Sequence, residues 1–214
     1  MGKLPVPGKD EVLFCALGGI GEIGMNAALY GHDGEWIMVD CGITFADDQQ
    51  PGIDVILPDL TPARALGKRL QAIVLTHGHE DHLGAIPYVG PGLGVPVYAT
   101  PFTSAFLKRK LQEDGAGNVT VRTIDSGGDW KTDPTPVVGK GFKSQQFERL
   151  GDAGVLAMVC DSTNAMVEGR TGSEADLAPD IAQLIIDAPG RIIFTSFASN
   201  VARMITICRA AAEA

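Results

Sequence analysis

Short apolar runs alternate with glycine, proline and charged residues along the whole chain. Eight of these runs have the alternation or the brief continuous apolar character of strands: residues 11–17, 26–30, 35–40, 72–76, 95–99, 119–124, 155–160 and 191–197. Five further stretches carry apolar residues at helical spacing: 62–70, 83–89, 102–113, 176–187 and 200–213. His32-Asp33-Gly34 lies between two apolar runs and predicts a tight hairpin. Residues 139–146 read as a polar connector. A strand-rich first third followed by alternating strands and helices predicts a layered α/β domain, with no internal repeat.

Chemistry concentrates where one strand ends. The apolar Ala72-Ile73-Val74-Leu75 runs straight into Thr76-His77-Gly78-His79-Glu80-Asp81-His82-Leu83-Gly84, which holds three of the chain's four histidines. Imidazoles and carboxylates crowded at a strand end are costly unless something neutralises and orders them, and a metal ion does both. His77 and His79 are two apart, so an extended or tightly turned backbone lets both rings face one way. Asp81 and His82 are adjacent and aim at a second position. Two ions so held would activate a water and clamp a phosphate. A helical HExxH zinc site is excluded, because the run has no such i, i+4 histidine pair. His32 falls on the predicted hairpin tip and reads as exposed rather than as a ligand.

A second pattern competes for attention. Gly19-Ile20-Gly21-Glu22-Ile23-Gly24 matches GxGxxG after a strand, with Asp40 at a later strand end, as in dinucleotide-binding folds. That fingerprint needs a helix after the glycines, and the Gly31–Gly34 turn would break one early. The run reads instead as a glycine loop that brings backbone close to the cleft.

Beyond the HxHxDH run, several segments share one likeness. They are Ala16–Asn26, Val39-Asp40-Cys41-Gly42, Gly52–Asp59, Gly128-Asp129-Trp130-Lys131-Thr132-Asp133-Pro134-Thr135-Pro136, Cys160-Asp161-Ser162-Thr163-Asn164-Ala165 and Phe197–Arg203. Together, and in this order, they resemble ribonuclease J, a member of the metallo-β-lactamase superfamily. The resemblance implies an α/β fold of the metallo-β-lactamase αββα sandwich type, incomplete here, over residues 1–190. Residues 191–214 would begin a β-CASP domain. It implies a metal-dependent ribonuclease acting as 5′-to-3′ exonuclease and endonuclease in RNA maturation and decay. Zinc would occupy two positions, with manganese or magnesium as alternatives. His77 and His79 would hold the first ion, Asp81 and His82 the second, and Asp129 would bridge them. Asp161 would give a proton to the leaving oxygen, with a strand-end capping role as the alternative. Asp81 counts among the catalytic residues, and Asp40 would orient a liganding imidazole. RNA would be the partner, with a homo-oligomer or an RNA-decay complex as the assembly.

The chain also departs from that pattern. The family carries a further histidine shortly before its GDWK-type motif, whereas none follows His82 here. A segment of a few tens of residues is expected to be absent between Asp125 and Asp129. The sequence ends at Ala214, where the β-CASP domain would be starting. Two other classes therefore stay open: a thioesterase or lactonase on the same fold, and a non-catalytic metal-binding protein acting through partners.

Composition narrows the setting. With 214 residues, 45% of them hydrophobic, the chain can bury a sizeable core. Cys15, Cys41, Cys160 and Cys208 form no CxxC pair and read as buried free thiols of a reducing compartment, which predicts a cytoplasmic location. No run reaches transmembrane length and the first residues lack an apolar signal core, so no membrane partner is expected. The net charge of −9 argues mildly against nucleic acid. Several carboxylates would face metal cations, however. Lys108-Arg109-Lys110 reads as a solvated helix face, with an RNA contact as the alternative.

Overall fold

The computed structural model describes residues 4–124, 133, 135–139, 141, 144–160, 162, 165–169 and 172–213. The chain divides into two compact units, one up to Asp129 and one from Trp130.

The first unit is built on a six-stranded sheet. Its strands are β1 (Leu13–Gly18), β2 (Ala27–His32), β3 (Glu35–Val39), β6 (Leu70–Val74), β7 (Val97–Ala99) and β8 (Val121–Thr123), in that spatial order. The first three pair antiparallel, and β3, β6, β7 and β8 run parallel. Each parallel step needs a crossover, which the helices supply. These are α1 (Thr61–Leu66), α2 (Glu80–Leu83) with α3 (Ile86–Leu93), and α4 (Pro101–Glu113). Short strands β4 (Thr44–Phe45) and β5 (Val55–Ile56) form a separate antiparallel pair that periodicity did not predict.

The hairpin forms where expected. Asp33 and Gly34 have φ of 44° and 81°, the paired positive values of a two-residue turn whose twist suits antiparallel strands. The core gathers Leu29, Trp36, Met38, Ile73 and Val97 from the sheet with Leu66, Leu83, Ile86, Leu107 and Leu111 from the helices. Burial of this apolar surface is the main favourable term in folding the unit. The other sheet face carries the cross-strand row Phe14–Tyr30–Ile37, in which Phe14 and Ile37 stay exposed.

The second unit is helical among its described residues: α5 (Ser144–Ala153), α6 (Ala178–Asp187) and α7 (Val201–Glu213). A set of polar contacts organises one part of it. Ser173 caps the 3₁₀ turn Glu174–Leu177 through a capping box with Asp176, and its hydroxyl reaches Asp133 Oδ1 at 2.7 Å. Glu174 also pairs with Arg203 of α7.

Two sequence expectations fail in this unit, and one element was missed. Residues 155–160 and 191–197 are not strands. Leu156, Met158, Ile193 and Phe197 are exposed. An apolar run becomes a strand only where a neighbour completes its ladder, and none does so among the described residues. Helix α5 begins inside the stretch read as a connector, because its few apolar residues give a weak signal. The first expected helix boundary, 62–70, was close, ending in a 3₁₀ turn over Gly67–Arg69. The expected helix over 83–89 is two helices, α2 and α3, meeting at Gly84-Ala85. The α/β class itself is borne out. The proposed domain boundary at 190/191 concerns ancestry rather than compactness and is carried as a proposal.

Candidate metal centre

Strands β3 and β6 are parallel neighbours, so their C-terminal ends lie side by side, the usual place for a site in such a sheet. Asp40 follows β3 and continues the ladder through its N–H to Val74 O at 2.9 Å. Its φ of 60° is unusual for a residue with a side chain, and its carboxylate is buried. That carboxylate accepts from Thr76 N at 2.8 Å and from Thr76 Oγ1 at 2.8 Å, and meets His82 Nδ1 at 2.7 Å. The expectation that Asp40 orients an imidazole thus matches the geometry. With Nδ1–H donated to Asp40, His82 Nε2 is the nitrogen left for a ligand role.

The histidines of the run come together. The rings of His77 and His82 have centroids 4.0 Å apart, and those of His77 and His79 are 4.7 Å apart. Thr76 Oγ1 lies 3.0 Å from His77 Nδ1. His82 Nε2 lies 3.4 Å from Asp81 Oδ2, and Asn26 Nδ2 donates to Asp81 O at 3.1 Å. Burial alone would lower the His82 pKa, but hydrogen bonds to Asp40 and Asp81 outweigh it and push the value up to about 9. Burial likewise works to raise the Asp81 pKa, and contact with His82 overcomes it and holds the carboxyl below its usual range.

Backbone braces the run from two sides. Met25 N and Gly42 N bond Ile43 O and Asn26 O, while Asn26 N bonds Asp81 O at 2.9 Å. Cys41 N bonds His82 O at 2.7 Å, and Ile43 N bonds Glu80 O at 3.1 Å. Gly42 is required by this closeness, since a Cβ there would stand 1.7 Å from Asp81 O. The glycine loop 19–24 leads into strand β2 at Ala27 rather than into a helix, which removes the dinucleotide reading. It delivers Asn26 to Asp81 instead, and a Cβ on Gly19 would stand 2.6 Å from Asn26 Oδ1.

His32 is elsewhere, with Nδ1 3.0 Å from Glu11 O near the hairpin. Lys110 departs from its expected solvated role. It is largely covered and pairs with Glu80 at 3.0 Å, whereas Arg109 is exposed and pairs with Glu113. Asn26 and Thr76 were not singled out as site residues, although Asn26 closes a segment that carried the family likeness. Asp129 and Asp161 lie outside the described residues.

In kind, three imidazoles and a carboxylate in one loop fit a divalent ion such as zinc. In arrangement, no group of three or more His, Cys, Asp or Glu side chains among the described residues is already set to hold one. His82 and Asp81 are instead engaged with each other.

Residues 20–162 match the metallo-beta-lactamase superfamily. The chain belongs to that superfamily. Within it, the resemblance to ribonuclease J is borne out. Ribonuclease J of Sinorhizobium meliloti is 38% identical over 247 residues, covering 96% of this chain and 44% of that protein. Ribonuclease J of Corynebacterium glutamicum is 36% identical, covering 94% and 34%. Ribonuclease J2 of Bacillus subtilis is 32% identical, covering 95% and 44%. The chain therefore spans less than half the length of these curated relatives. An aligned stretch of 247 residues also exceeds the chain's own 214, so the relative holds at least 33 positions with no counterpart here. Among solved structures, human tRNase Z, short form, aligns at 19% identity over 63% of this chain and 52% of that one, with a TM-score of 0.34, too low to bear on the fold.

Proposed function

We propose that the chain is the metal-binding part of a ribonuclease that hydrolyses RNA phosphodiester bonds, with 5′-to-3′ exonuclease and endonuclease action in the intact family member and a cytoplasmic location. The observation that carries this reading is the gathering of His77, His79, Asp81 and His82 at the shared end of β3 and β6, braced by Asp40. Ribonuclease J relatives matching nearly the whole chain support RNA as the substrate rather than a thioester or lactone.

When bound, divalent zinc or manganese supplies positive charge to a phosphate and acidity to a water. His77 and His79 would hold one ion, and Asp81 and His82 the other. Asp40 keeps His82 in one tautomer through Nδ1. Thr76 bridges Asp40 and His77 and fixes their spacing. Asn26 holds the Asp81 backbone. By resemblance, Asp129 would bridge the ions and Asp161 would donate a proton to the leaving oxygen.

A second reading is favoured by the 33 or more unmatched positions and by the open donor arrangement: these 214 residues bind metal but turn over RNA poorly. The test is a time course on 5′-monophosphorylated RNA with manganese, using Asp81→Ala as the blank. Asp81-dependent cleavage supports the nuclease. Metal uptake without cleavage supports the second reading. Neither uptake nor cleavage in folded protein rejects both.

A further inference from the structure

Glu80 stands between two ligands of the run, His79 and Asp81, and the proposed chemistry does not use it. Its Oε1 pairs with Lys110 Nζ at 3.0 Å, and both side chains are about three-quarters covered. Its Oε2 is buried and has no hydrogen-bond partner among the described residues. The carboxylate fits where it does because residue 84 is glycine. A Cβ there would stand 2.6 Å from Oε2 and 2.5 Å from Glu80 O. The Glu80 carbonyl also accepts from Ile43 N and from Gly84 N at 2.8 Å. Glu80 is thus where the loop after β3, helix α2 and helix α4 are joined.

A half-satisfied carboxylate taken out of water stays there only while a cation compensates it. Lys110 is that cation. It sits on a helix anchored by buried Leu107 and Leu111, and by the contact of Ser104 Oγ with Thr123 Oγ1 at 2.8 Å. Without Lys110 the Glu80 side chain would turn towards water and carry the start of α2 with it. His79 and Asp81 flank that point in the chain.

We propose that Glu80 and Lys110 form a positioning pair which sets the spacing of His79 and Asp81 and thereby the metal affinity of the loop. The inference rests on the metal-site reading above. It makes a prediction opposite in sign to simple electrostatics. Removing the positive charge of Lys110 would, through charge alone, tighten binding of a cation. If the pair positions the ligands, its loss weakens binding instead.

The experiment is zinc titration of the full chain against a chromophoric chelator, with thermal unfolding in EDTA run in parallel. The variants are Lys110→Met, Lys110→Arg and Glu80→Gln/Lys110→Met. Lys110→Met is expected to weaken zinc about tenfold, in the range seen when partners of metal ligands are removed. Lys110→Arg keeps the charge and is expected to recover most of that loss. The double variant, which no longer buries an uncompensated carboxylate, is expected to bind better than Lys110→Met alone. Unchanged or tighter zinc binding by Lys110→Met, even with a lowered melting temperature, would overturn the positioning role while leaving the metal site standing. Failure of the unaltered chain to bind zinc would overturn the site and the pair together. If Lys110→Met does not fold, Lys110→Arg and the double variant decide. Near-full zinc binding by Lys110→Arg with weaker binding by the double variant supports the pair, and binding by the double variant equal to the unaltered chain, or an equal fall in both variants, overturns it.

Discussion

Asp40 and Cys41 are neighbours in sequence and opposite in consequence. Asp40 holds His82, and that hydrogen bond makes the ligand assignment testable one residue at a time. His77→Ala or His79→Ala is expected to remove most bound zinc, measured by elemental analysis after dialysis, and His32→Ala to leave it unchanged. Equal loss in His32→Ala would show the ligands to be misassigned. Cys41 lies fully buried, and burial, with the nearby Asp40 carboxylate adding to it, raises its pKa from 9.0 to about 12. An acid whose folded pKa is raised favours the fold below its unfolded pKa and loses that contribution as pH rises through the folded value. Stability should therefore fall between pH 9.0 and about 12 more steeply than in Cys41→Ala. Urea titrations at pH 8, 9 and 10 check this, and parallel slopes for the two proteins would contradict it. Exposed Cys160 and Cys208 should react with a thiol reagent in the native protein, while Cys41 should not. The sequence placed all four thiols in apolar segments and so read all four as buried, because a side chain's neighbours in the chain do not reveal whether another element covers it.

At the level of elements, the first unit was legible and the second was not. Strands β1, β2, β3, β6, β7 and β8 fall within a few residues of their expected places, since each is a distinct apolar run closed by a turn residue. The ligand loop was legible for the same reason: His77, His79 and His82 follow β6 directly. Asn26 and Thr76 were missed because their roles depend on contacts with Asp81 and Asp40, 55 and 36 residues away in the chain. In the second unit, Val155–Val159 and Ile192–Phe194 carry strand-like composition, yet a strand is a property of two segments and composition belongs to one. Amide hydrogen exchange should separate the two cases. Backbone amides of β3 and β6 are expected to exchange slowly, and those of 155–159 and 191–197 to exchange close to the rate of an unfolded chain. Protection of 191–197 comparable to β6 would show that this segment has a ladder partner after all.

For the whole molecule, the comparison with relatives bears on rate. The 214-residue polypeptide is expected to cleave RNA about 10²–10⁴-fold more slowly than an intact ribonuclease J, a loss on the scale of one general acid–base contribution. Single-turnover assays with both proteins under identical manganese concentrations check this. Comparable, Asp81-dependent rates would show that the unmatched positions do not matter to chemistry. The net −9 weighs against a nucleic-acid surface in general, but part of that charge is local: Asp40 and Asp81 lie within the donor cluster, where they favour cations.

The bond between Asp40 and His82 spans 42 residues, and it can form only once β3 and β6 have paired in parallel. Pairings of that kind close late and slowly in folding, since the intervening chain must be ordered first. A cation captured by this loop would act as a latch on a door that is already shut. It would leave the folding rate untouched and slow unfolding alone, about a hundredfold at a zinc concentration of about 100 times Kd. Stopped-flow refolding and unfolding with and without zinc would show one limb moving. Acceleration of refolding would mean that the loop gathers its ligands before the sheet is complete.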